Sequence, residues 1–138
     1  MKRLLTLLTS IAFSACLFAQ DGEVIVVANV DNTSATLSKK QVRDLFMGGV
    51  NRDNLTPIAL PPGDPTRVLF NTKVVGLTEA RIQSYWAQMR FSGRSKPPNE
   101  IASVEALLVY LQHHQGSVGY VPAGTPLPDN LRVIYDSE

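Results

Sequence analysis

The sequence predicts an α/β fold, a single lobe in three layers with helices on both faces of one sheet. Three observations predict it. Strand-like and helix-like segments alternate along the chain instead of clustering by type. The first strand-like run, residues 23–30, is β-branched and almost continuously apolar, as a strand covered on both faces would be. The helix-like segments each open on a cap residue and carry a one-sided apolar stripe.

Each element follows from its residues. Asp31, Asn32, Thr33 and Ser34 are turn formers that end the first strand. Ser38 with Gln41 three positions on forms a capping box. Val42, Leu45 and Phe46 continue that helix, and Gly48-Gly49 stops it. A polar loop at 51–54 leads to a short strand at 55–60, where Pro57 demands an edge or a strand start. Asp64 caps the next helix, with Pro65 in the first helical position, where a missing N–H costs nothing. Val68, Leu69, Phe70, Val74 and Val75 give this helix its stripe, and Gly76 ends it.

A further helix begins at Thr78, with Ile82, Tyr85, Trp86 and Met89 on one side. Residues 91–99 read as loop. Ser103 and Glu105 open the last helix, His113 and His114 fall in its final turn, and strands follow at 117–121 and 131–135. The expected core comprises Val24, Val26, Leu45, Phe46, Leu69, Phe70, Trp86, Leu107, Tyr110 and Val118. Tyr85 and Phe91 are also expected inside.

The N-terminus predicts export. Lys2-Arg3, an apolar run over 4–18 and Ala19 before a polar junction read as a secretory signal peptide, residues 1–19, ahead of one domain at 20–138. The destination is the periplasm, in soluble form. A second reading stays open: Phe13-Ser14-Ala15-Cys16 resembles a lipobox, which would make a lipoprotein anchored through Cys16. Cys16 is the sole cysteine, so a domain cleaved after Ala19 has neither disulfide nor thiol chemistry.

Composition excludes several classes. The chain holds 13 basic and 12 acidic residues, which leaves no basic excess for a nucleic-acid binder. With 44% apolar and 18% charged residues it is an ordinary globular sequence. It carries no nucleophile elbow, P-loop, HExxH or cofactor motif, and the expectation is a non-enzyme without metal or cofactor. Asp44, Asp53 and Glu79 could supply carboxylates, but nothing in the sequence ties them into one site. His113 and His114 are adjacent on a helix, hence about 100° apart, and cannot face one ion. Arg81, Arg90, Arg94 and Lys96 form a basic region beside Trp86. It reads as a solvated face, with a docking surface for an acidic partner or an oligosaccharide as the sharper alternative.

Residues 37–48 (LSKKQVRDLFMG), the helix start at Thr66 through Phe70, Trp86 with Phe91, and residues 116–121 (GSVGYV) come in a distinctive order and spacing. Together they resemble the type II periplasmic binding proteins, most closely the phosphate-binding proteins of ABC transporters, from about Val24 to Tyr135. The resemblance implies a binding or accessory module for phosphate or another small anion. It also implies a membrane partner such as a transporter, sensor or porin. The alternative is a structural or protein-interaction domain that retains the lobe without a ligand.

Two departures from the family are visible. Its ligand-binding members have two lobes and about twice this length, so a cleft here would require a partner surface or a homodimer. The family's phosphate loop reads Arg, two residues, then Gly-Ser-Gly-Thr. Against it residues 60–66 keep Gly63 and Thr66 but place Leu60 for the arginine, Asp64 for the serine and Pro65 for a glycine. Gly63, Asp64, Thr66 and Arg67 are the candidate ligand-binding residues that the resemblance implies. Asp64 as a carboxylate cap would itself take the amides that attract an anion.

Overall fold

The computed structural model describes residues 22–138. The expected signal peptide, its cleavage position and Cys16 lie outside the described residues.

Five strands form one mixed sheet in the order β3-β2-β4-β1-β5. Strand β1 (Val24–Ala28) is buried at every position. It runs antiparallel to β4 (Ser117–Pro122), with Val26 opposite Tyr120, and antiparallel to β5 (Arg132–Asp136) across a bulge at Val26/Val27. Strand β2 (Thr56–Ala59) runs parallel to β4 and to the two-residue β3 (Asn99–Glu100). Pro57 is therefore not on an edge strand. It sits at the strand start, one residue before the pairing with β3 begins at Ile58, so its absent N–H breaks no rung of that ladder.

Helix α1 (Lys39–Phe46) carries the predicted capping box. The Gln41 amide donates to Ser38 Oγ at 3.2 Å and the Ser38 amide to Gln41 Oε1 at 2.8 Å. Helix α2 (Pro65–Phe70) passes directly into a π-helical turn, Asn71–Val75, which ends at left-handed Gly76. Helix α3 (Glu79–Ser92) is capped by Thr78, and α4 (Val104–His113) by Ser103.

The side chains of β4 define the layers. Tyr120 points to the face where Phe70 stacks on it at 4.0 Å and Phe46 meets both rings. Gly119 points to the other face, where a Cβ would lie 3.0 Å from the Leu107 methyls of α4. Helices thus cover both faces, as the alternation of elements predicts. Strand β4 approaches α4 closely because residue 119 has no side chain.

Most of the expected core is buried: Val24, Val26, Leu45, Phe46, Phe70, Trp86, Leu107 and Val118. Leu69 and Tyr110 are only half-buried. Val68 is 54% exposed because only one side of the short α2 faces the sheet. Phe91 departs furthest, at 97% exposed. Helix α3 continues past Met89 to Ser92, and two residues beyond the inward Met89 is a rotation of about 200°, which turns residue 91 to solvent. The expected loop at 91–99 also yields its last residue to β3. Among the described residues no helix is long and apolar enough to cross a membrane.

Candidate functional site

The loop from β2 into α2 lies beyond the C-terminal end of a parallel strand, where open α/β sheets place ligands. Its path is set locally. The Asp64 amide donates to the Pro61 carbonyl at 3.2 Å, and Gly63 between them has φ +89°. That is the conformation a turn with proline first and glycine second favours. Asp64 then caps α2. Its Oδ1 accepts the Thr66 amide at 2.8 Å and the Arg67 amide at 3.4 Å. Pro65 has no amide to offer. The first N–H groups of the helix are therefore bonded to the protein's own carboxylate.

Leu60 is fully buried. Its amide donates to the phenolic oxygen of Tyr120 at 3.1 Å. Burial pushes the Tyr120 hydroxyl well above the ordinary tyrosine range, so it stays protonated. Position 60 opens into the core rather than the loop, and an arginine there would have no route to an anion held by the loop.

Arg67 is 8% exposed. Nη1 donates to the Leu60 carbonyl and to Glu100 Oε2, both at 2.7 Å. Nη2 lies 2.7 Å from Glu79 Oε1 and donates to Glu79 Oε2 at 3.2 Å. The Asn71 side-chain amide reaches the same Glu79 Oε2 at 3.5 Å. Arg67 thereby ties four segments together: the turn after β2, α2, the start of α3, and β3. Two carboxylates, Glu79 and Glu100, hold the one guanidinium, while Asp64 bonds the backbone amides at the helix start.

The four residues expected from the sequence thus sit on one loop and helix start. Gly63 shapes the turn, Asp64 and Thr66 close the cap, and Arg67 is directed inward to the glutamates. Sequence reading missed Glu79 and Glu100 as partners of Arg67. Glu79 reads simply as a favourable acid in the first turn of a helix, and Glu100 falls at the end of an apparent loop. Of the other two carboxylates considered, Asp44 pairs with Lys40 at 2.6 Å in α1 and Asp53 is exposed on the loop before β2.

His113 and His114 each direct Nδ1–H to the carbonyl four residues back, Val109 at 2.8 Å and Tyr110 at 2.7 Å. His114 also stacks on Tyr110. Among the described residues no group of three or more His, Cys, Asp or Glu stands together as a metal site.

No family model matches the chain, and no curated protein matches it. Solved structures do. The chain is similar to an ABC-type phosphate transport receptor from Vibrio cholerae, with a TM-score of 0.60 and 16% identity, over 82% of this chain and 45% of the receptor. It is also similar to a putative phosphate ABC transporter substrate-binding protein with bound phosphate from Clostridium perfringens. There the TM-score is 0.62 and the identity 13%, over 82% of this chain and 44% of that one. The chain spans less than half the length of these solved structures. It has the α/β fold of phosphate ABC transporter substrate-binding proteins, as the sequence resemblance implies. At such identities the likeness is one of fold.

Proposed function

We propose that the protein is an exported, non-enzymatic module of the binding-protein type. Its role is accessory to the transport or sensing of phosphate or another small anion, beside a membrane partner such as a transporter, sensor or porin. The solved receptors of the same fold, one of them with bound phosphate, support the class. The observation that carries the accessory role is the contact between Asp64 Oδ1 and the Thr66 amide at 2.8 Å. The loop that would hold an anion is filled by a carboxylate of the chain itself.

On this reading Gly63, Asp64, Thr66 and Arg67 are the remnant of a ligand loop, converted to a structural junction. Restoring a buried anion site would require a covering surface from a partner or a second copy. A second reading, a protein-interaction domain with no small-molecule ligand, is favoured by Arg67, whose guanidinium is held by Glu79, Glu100 and the Leu60 carbonyl. A thermal-shift series with phosphate, sulfate and other oxyanions separates the two. A ligand of the folded state raises the melting temperature by mass action. The accessory reading expects a rise only with the partner present, and the interaction-domain reading expects none with any anion.

A further inference from the structure

We infer that the C-terminal end of α3 is a docking surface for an acidic polypeptide, with Phe91 as its apolar anchor. The inference names partner chemistry for the accessory role and rests on that reading.

Phe91 is 97% exposed, the most exposed of the large apolar side chains described. Isolated exposed aliphatics are ordinary on protein surfaces, but a whole phenyl ring in water, next in the chain to Arg90 and three residues before Arg94, is the composition of an interface core. Charge is segregated along this stretch of the sequence. Residues 81–96 hold four basic side chains and no acidic one, whereas the other described residues hold seven basic and eleven acidic. Arg81, Arg90, Arg94 and Lys96 are all exposed, and none enters an ion pair among the described residues. The cations of the patch are free to meet a partner's carboxylates.

The surface is also indented. A hollow of about 240 Å³ on the Trp86 side of α3, which shares Lys96 with the patch, is also lined by Ser95, Pro97 and Pro98, room for one inserted apolar side chain. An exposed phenyl ring on a stretch of unpaired cations fits an acidic chain that carries apolar residues between its carboxylates.

Other occupants fit less well. A two-fold pairing of this surface would set Arg90, Arg94 and Lys96 against their own copies, like charge on like. Bilayer docking needs more apolar insertion. On the exposed side of α3 the neighbours of Phe91 are Ser84, Ala87, Gln88 and Ser92, which add no second large apolar group.

The test is fluorescence anisotropy of the purified protein with a labelled synthetic peptide that alternates Glu with Leu and Val. The expected result is saturable binding that weakens with added salt, because exposed charges are screened over about 10 Å at 0.1 M. Phe91→Ser and the double change Arg90→Glu, Arg94→Glu should each weaken it about tenfold or more, the range of an interface anchor. Val109→Ser, an exposed apolar change on α4, should leave it unaltered. All these positions are exposed, and an unchanged melting temperature confirms folding. Absence of peptide binding overturns the inference. So does Phe91-dependent sedimentation with phosphatidylcholine–phosphatidylglycerol vesicles, which assigns the surface to a bilayer. Phe91-dependent dimerisation in sedimentation velocity overturns it in favour of a second copy. Tight phosphate binding by the loop would remove the accessory reading but leave a Phe91-dependent peptide site standing. A silent peptide with silent phosphate removes the docking surface alone.

Discussion

The ring of Phe70 lies parallel to that of Tyr120, with centroids 4.0 Å apart and planes within 5°. This contact joins the end of α2 to the centre of β4, and Phe46 closes it from α1. All three rings are buried. The Tyr120 hydroxyl in turn accepts the Leu60 amide, so the aromatic cluster also fixes where the loop before α2 begins.

Phe70→Ala and Phe46→Ala should each cost about 3–5 kcal/mol, the range for deleting a buried phenyl ring. Urea denaturation monitored by circular dichroism measures it. A loss under about 1 kcal/mol at both positions would mean that the rings are not packed as described.

Gly119 and Leu107 form a close-fitted pair. Gly119→Ala brings a methyl to 3.0 Å from both Leu107 methyls, and overpacking of this kind costs about 1–3 kcal/mol. In a Leu107→Ala background the same change should cost clearly less, because the neighbour has been cut back. Equal costs in the two backgrounds would place the strain elsewhere.

Asp64 acts first as a cap. Asp64→Ala should lower stability by about 1 kcal/mol, and Asp64→Ser by less, since a hydroxyl can accept the same Thr66 amide. Thermal melts of the two variants settle the order. If alanine is no worse than serine, the 2.8 Å contact does not hold the helix start in solution.

Arg67→Met keeps the aliphatic stem and deletes the charge. Glu79 and Glu100 would then face each other with no cation between them. The two glutamates retain water contact, with side chains 32% and 45% exposed. The expected loss is therefore about 2–3 kcal/mol, below the range for a fully buried pair. The combined change Arg67→Met, Glu79→Gln, Glu100→Gln should recover part of it. No recovery would mean that the bond to the Leu60 carbonyl, rather than the ion pairs, is what Arg67 contributes.

What was legible in the sequence was local. Ser38 with Gln41, Asp64 with Pro65, and Gly76 after the valines state their roles within a few residues, and the caps fall where those residues stand. The β-branched run at Val24 to Ala28 announced a strand buried on both faces. What escaped was set by distant partners or by helix phase. Glu100 meets Arg67 because a two-residue strand pairs Ala59 with Glu100, a register that no short window contains. Phe91 is apolar and adjoins an apolar stripe, so composition assigns it to the core. Its outward direction depends on α3 continuing to Ser92. The π-helical turn at Asn71–Val75 likewise has no local signature, and the sequence pattern there predicts plain helix.

If the chain's own carboxylate occupies the loop before α2, as proposed, the loop does not hold free phosphate. Calorimetric titration of the purified protein with inorganic phosphate tests it most directly. A charge-assisted contact is worth about 1.5–3 kcal/mol, so loss of two of them moves a micromolar site to about millimolar or weaker. The expected result is no measurable binding heat at micromolar phosphate. Saturable micromolar binding by the unmodified protein would contradict it.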